Sequence, residues 1–172
     1  MHGVLAVHDA VIDTGPLIHL HEIDRLDLVT AVFRNIHLPE HVEREIRNEP
    51  IIQYIHQNTD RITIHPIQEP ELFSTKEAYS GFHLQLADLA VLALLTKIVD
   101  ACAVTDDLEL RKAVESNGRT SVGTIGMLFS GYRLSVINKP QLRQLVNQVF
   151  NDSSLYLSSA FRSRVLAIVE GL

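Results

Sequence analysis

The chain has 172 residues, a length that suits one domain with a sizeable core and a small appendage. Its 46% hydrophobic and 21% charged residues are those of an ordinary soluble globular protein. A net charge of −6 argues against a general nucleic-acid binder, yet the charge is uneven: residues 1–110 sum to −11 and residues 111–172 to +5. The single cysteine, Cys102, makes no intrachain disulfide and points to a reducing, cytoplasmic compartment. The opening "MHGVLAVHDAV" has no basic region followed by a long apolar stretch, so no secretion signal is expected. Asp88 and Lys97 interrupt the longest apolar run, which therefore reads as a core helix rather than a membrane span.

"AVHDAVID" (6–13) predicts a first strand that ends in an acid. "GPLIHLHEI" and "DRLDLVTAVF" predict a broken helix pair, with Leu17, Leu20, Leu26, Leu28, Val29 and Val32 facing inward. A short strand is expected at 35–38, and Pro39 suits the first turn of the helix "PEHVEREIRNE". Pro50 marks a break before a further helix, "IIQYIHQN". "RITIH" (61–65) alternates and stops at Pro66, as an edge strand does. "PELFSTKEAYSG" reads as weak helix or loop. "LQLADLAVLALLTKIVD" is apolar nearly all round and predicts a central helix. "ACAVT" (101–105) is a buried strand, and "DLELRKAVESNG" a helix closed by Gly118. A fifth strand, "TSVGT", leads into the helix "IGMLFSGYRL". Two amphipathic helices follow, "KPQLRQLVNQVF" and "SAFRSRVLAIVEGL". Alternation of strands and helices predicts an α/β three-layer sandwich with a central, mostly parallel sheet. Residues 1–136 would form the main domain, and 137–172 a helical extension packed on it.

In such sheets the functional crevice lies beyond the carboxyl ends of the strands. Asp13 ends the first strand, Asp106 and Asp107 end the fourth, and Glu40, Glu43 and Glu45 follow the second. Asp88 interrupts the most apolar helix. Each acid has a plain structural role open to it. Asp13 or Thr14 can cap a helix begun by Gly15-Pro16. Asp106 with Glu109 fits a capping box, Asp88 can serve a helix dipole, and the glutamates can be solvated. Asp88 fits its plain role least, because Leu84, Leu86, Leu89, Val91 and Leu92 leave it little solvated surface. Taken together at the strand mouths, these acids repel one another unless a counter-charge is present, and a divalent cation is the simplest one. Mg²⁺ and Mn²⁺ favour such oxygen sets, and a cluster of this kind acts on phosphodiesters. Position on the helix does not choose between Glu43 and Glu45, which lie symmetrically about Val42–Ile46.

Other chemistries lack support. The nine histidines include His19-x-His21, but an i,i+2 pair does not share a helix face. His37 and His41 flank Pro39 without a third zinc ligand, and the histidines read mostly as surface or helix-end residues. Motifs for nucleotide cradles and for serine hydrolases are missing. With few aromatics and no tryptophan, a base-stacking platform is not expected.

Four stretches resemble the PIN-domain ribonucleases of the VapC-like toxin type: "VIDTGPLIHLHEIDRLDLV", "IHLPEHVEREI", "LQLADLAVLALL" and "ACAVTDDLELRKAVESNG". "VGTIGMLFSGYRLSVI" and the tail through "SSLYLSSAFRSRVLAIVEG" resemble a longer branch with extra C-terminal helices. The resemblance implies four catalytic and metal-ligating acids, Asp13, Glu45, Asp88 and Asp107, and it alone favours Glu45 over Glu43. Thr14, Thr105 and Asp106 would be supports. Gln85 departs from the small residue usual before the third acid and is expected to alter only the start of that helix. The implied activity is metal-dependent cleavage of RNA by water, with Mg²⁺ or Mn²⁺, leaving a 5′-phosphate and a 3′-hydroxyl. The implied partners are RNA and a cognate antitoxin; the apolar residues of helices 16–33 and 140–170 are open to a homodimer, to an antitoxin or only to the core, and no membrane is expected. The alternative is a catalytically silent PIN-like binding subunit. The basic last third adds phosphate contacts by charge, first Arg111 and Lys112, then Arg119, Arg133, Lys139 and Arg143.

Overall fold

The computed structural model describes residues 9–172. The part of the predicted first strand at residues 6–8 lies outside them. Five strands, β1 (Asp9–Ile12), β2 (Asn35–Pro39), β3 (Ile62–His65), β4 (Ala101–Val104) and β5 (Ser121–Val122), form one sheet in the order β3-β2-β1-β4-β5. Every pairing is parallel, with Val11 opposite His37 on one side and Ala103 on the other. Successive strand residues point to opposite faces, and Ala10, Val11 and Ile12 are all buried. Both faces are therefore covered, which is the three-layer α/β arrangement expected. β3 is an edge strand, as its terminal proline suggested.

Ten helices occur among the described residues: α1 (Thr14–Glu22), α2 (Asp27–Val32), α3 (Glu40–Glu45), α4 (Glu49–Gln57), α5 (Glu69–Ala78), α6 (Leu86–Lys97), α7 (Leu108–Ser116), α8 (Thr124–Arg133), α9 (Lys139–Asp152) and α10 (Ser159–Gly171). α6 buries Ala87 and every residue from Leu89 to Leu95, and it packs on β1, β2 and β4. Such burial on all sides explains its nearly uniform apolarity. α8 packs on α2 and α9, and α9 on α10. No helix among the described residues is long and apolar enough to cross a membrane.

Four local readings are corrected. The helix after β2 stops at Glu45, and Ile46 is extended (φ −70°, ψ 118°). Asn48 then caps α4 through Ile51 N–H, so Pro50 lies in the first turn of α4, where its missing N–H costs nothing. Residues 69–78 form a full helix. Gln68 and Glu71 make a capping box there, but only Leu72 and Thr75 are buried, which leaves little periodicity to read. At α7 the cap is Asp107, whose Oδ1 accepts from Leu110 N–H at 2.7 Å, and not an Asp106–Glu109 box.

The chain leaves β1 toward β2 and β3, then returns past β1 to β4 and β5. The order reverses between β1 and β4, and the crevice beyond their carboxyl ends is where an open α/β sheet places its ligands.

Candidate active site

Asp13 follows β1 directly and is 8% exposed. Its Oδ1 accepts the Thr14 N–H at 2.7 Å, and its Oδ2 accepts the Thr105 hydroxyl at 2.8 Å across the strand gap. The capping role and a place in the crevice thus coexist in one carboxylate. Thr105, fully buried at the end of β4, joins the two strand mouths. Besides donating to Asp13, its hydroxyl accepts the Asp107 N–H at 3.0 Å.

Glu45 ends α3 and accepts the Thr14 hydroxyl at 3.1 Å. Glu43 faces elsewhere, with Oε1 3.6 Å from His56. The tertiary structure therefore brings Glu45, and not Glu43, to Asp13. Asp88 stands in the first turn of α6, half-buried, with Oδ2 accepting the Gln85 N–H at 2.7 Å. Gln85 completes a capping box at the start of the helix. Asp88 is less enclosed than its leucine neighbours suggested. Leu86 is itself 57% exposed, because the helix begins there, at the rim.

The electrostatics tie these acids together. Burial pushes the Asp13 carboxyl up to about 6; the Thr105 and Thr14 hydrogen bonds oppose this, and the charges of Asp88 and Glu45 add to it. Burial also raises Asp88 against the Gln85 hydrogen bond, with Asp107 and Glu45 adding repulsion. Asp13, Glu45, Asp88 and Asp107 make no ion pair among the described residues. Here is an all-oxygen donor set with a deficit of positive charge, which suits a hard divalent cation. Among the described residues no three ligand side chains converge closely enough to hold an ion as they stand. The donor chemistry, not the present geometry, is what suits a cation.

Asp106 turns away from the acids. It accepts the Thr124 N–H at 2.7 Å, the Thr124 hydroxyl, and His19 Nδ1 at 2.8 Å. Burial alone would raise its pKa, but the His19 and Thr124 hydrogen bonds outweigh burial and hold the carboxyl below its usual range. Its support is to the seat of α8. His19 is correspondingly no surface histidine, with a side chain 12% exposed. His37 likewise sits in a chain, Nδ1 2.9 Å from His65 and Nε2 3.3 Å from Asp9, and does not meet His41. Neither link was visible in sequence, since the partners lie 28 to 87 residues apart.

The basic residues divide. Arg111 is partly buried, donating to the Thr105 carbonyl at 3.2 Å beside the crevice. Lys112 is exposed and pairs with Glu109. Arg119 is removed from the phosphate-contact set: its guanidinium donates to Leu95, Ile98 and Ala101 carbonyls and closes the end of α6. Arg143 pairs with Glu170, and Lys139 donates to the Glu170 carbonyl.

The fold is a parallel five-stranded α/β sheet with carboxylates about its topological switch point. The model of the PIN domain matches residues 9–171, and the chain belongs to the PIN-domain family, whose members are in general nucleases. Among curated proteins nothing matches the chain.

Proposed function

We propose that the protein is an endoribonuclease that needs Mg²⁺ or Mn²⁺, held by Asp13, Glu45, Asp88 and Asp107. The observation that carries this reading is Asp13: a buried carboxylate with a raised pKa, faced by two further acids and, among the described residues, by no cation. A bound divalent ion supplies a Lewis acid that lowers the pKa of water and stabilises charge on a phosphodiester. The chain's own groups do the rest. Thr14 N–H and the Thr105 hydroxyl fix both oxygens of Asp13. The Thr14 hydroxyl turns Glu45 toward it. The Asp107 N–H, bound to Thr105, sets the α7 start at the same height. Water adds to phosphorus, the bond to the 3′-oxygen breaks, and that oxygen leaves as the 3′-hydroxyl. Arg111 and Lys112 would meet flanking phosphates.

The test is Mn²⁺-dependent cleavage of single-stranded RNA. Asp13→Asn is expected to fold and to lose cleavage by about 10³-fold or more. An Asp13→Asn protein as active as wild type would end the assignment. A wild type that binds RNA without cutting it would favour a silent binding subunit, and turnover of small phosphoesters alone would indicate another phosphohydrolase. We further propose a toxin role with a cognate antitoxin and a homodimeric state, on the resemblance of the quoted stretches to VapC-like toxins. Growth arrest on expression, relieved by Asp13→Asn, is the expected outcome.

A further inference from the structure

A groove of about 960 Å³ is lined by α8, the segment 153–158 and α10, and Asp106 and Arg111 are also among its lining residues. Asp106 belongs to the same β4–α7 loop that carries Asp107, and Arg111 lies in α7. The floor is apolar, with Val122, Ile125, Leu134 and Val165. Three aromatics gather along it: Phe129, Phe161 at 39% exposure and Tyr156 at 87%. The fold thus collects in one place aromatics that are too scattered in sequence to suggest a platform.

Its cations lack acidic partners, a state that Arg34, Arg47 and Lys76 share among the described residues. Elsewhere Arg25, Arg44, Lys97, Lys112 and Arg143 each meet a carboxylate, and Arg61 and Arg119 are spent on backbone carbonyls. Arg133 and Arg164 line the groove and meet no carboxylate within 4.0 Å among the described residues. Arg111 has a buried Nε with no hydrogen-bond partner there. Asp106 is the one acid in the lining, and His19 and Thr124 already occupy its oxygens. A groove with arginines, exposed ring faces and no free carboxylate is complementary to a strand that alternates phosphates with unstacked bases. A base-paired duplex hides those base faces inside its own stack.

We propose that this groove seats the single-stranded RNA that flanks the scissile bond, with phosphates on Arg133 and Arg164 and bases against Tyr156 and Phe161. The assignment rests on the nuclease reading of the acid cluster for its direction: the groove is lined by Asp106, the sequence neighbour of Asp107. An amphipathic protein helix would also suit the apolar floor, but it leaves Arg133 and Arg164 unmatched unless it is acidic.

The test measures binding without divalent metal, by fluorescence anisotropy, for labelled oligoribonucleotides of about 3 and about 12 nucleotides. Wild type should bind the longer strand at least about tenfold more tightly. Arg133→Gln with Arg164→Gln should abolish that gain and flatten the salt dependence of binding by about 1.4 in log–log slope. Tyr156→Ser should weaken the longer strand by about tenfold with little change in salt slope. All three side chains reach solvent, so unchanged circular-dichroism melts are expected to accompany the losses. If wild type cuts no RNA but shows the arginine-dependent length gain, the nuclease reading falls and the groove stands. Equal affinity of wild type and the double variant overturns the proposal, as does equal competition by duplex RNA of the same length. Tight binding of an acidic helical peptide, with RNA affinity unchanged in the variants, also overturns it, in favour of a protein partner.

Discussion

Asp13 is costly to ionise where it stands, and that cost sets a pH dependence. Its carboxyl titrates near 3.8 when unfolded and at about 6 when folded. Below 3.8 it is protonated in both states and contributes nothing. Between 3.8 and about 6 the folded chain holds the proton that the unfolded chain has lost, so stability falls as pH rises. Above about 6 the penalty is complete and amounts to roughly 1–3 kcal/mol, screened by whatever water reaches the crevice. Metal-free Asp13→Asn is therefore expected to melt several degrees above wild type at neutral pH, at about 2–4 °C per kcal/mol, and to lose this advantage near pH 4. Mg²⁺ should raise the wild-type melting temperature and leave the variant unmoved. A wild type whose stability climbs from pH 4 to 7 would contradict the electrostatic account. The acids themselves were legible in sequence, because a charged residue that ends an apolar strand or interrupts an apolar helix stands out. Which of Glu43 and Glu45 faces Asp13 was not, since that depends on how α3 lies against α1.

At the scale of the element, the adjacent acids Asp106 and Asp107 serve different helices. Asp107 caps α7, and Asp106 seats α8 through Thr124 while holding His19 of α1. Asp106→Ala would leave a buried N–H, a hydroxyl and an imidazole without their acceptor, and should cost about 2–3 kcal/mol in urea denaturation. Asp107→Ala loses only an exposed cap, about 1 kcal/mol, but should abolish cleavage. The reverse ordering of the two stabilities would show that the roles have been exchanged. Sequence could not separate this pair: both follow β4, both suit a cap, and the Thr124 partner lies 18 residues on. The corrected elements share one cause. α3 is too short, and α5 too sparsely buried, for hydrophobic periodicity to mark their ends, whereas α6, α7 and α9 carry enough buried turns to be read directly.

Across the whole molecule, the C-terminal helices complete the core rather than decorate it. α9 buries Leu142, Leu145, Val146, Val149 and Phe150 against α8 and α10. At about 1.5–3 kcal/mol per large apolar side chain, their loss rivals the whole stability of an ordinary domain, about 5–15 kcal/mol. A chain cut at residue 136 is thus expected to aggregate or to unfold without cooperativity. A cooperative melt within a few degrees of the full chain would show that 137–172 is dispensable. The uneven charge, −11 then +5, also acquires a location. The acidic part holds all four crevice carboxylates, while the basic part supplies both the groove arginines and a structural clamp at Arg119. Charge counting could not tell those cations apart, because pairing with carbonyls or carboxylates is a property of three-dimensional neighbours.

The order of elements, the parallel α/β class and four acids at strand mouths or in an apolar helix were written in the sequence, because they follow from local periodicity and from polar residues in apolar settings. Whether those acids meet, which glutamate joins them, which aspartate seats a helix, and which arginines stay free were settled only by the packed fold. Each of those depends on contacts between segments far apart in the chain, and local pattern carries no record of such distances.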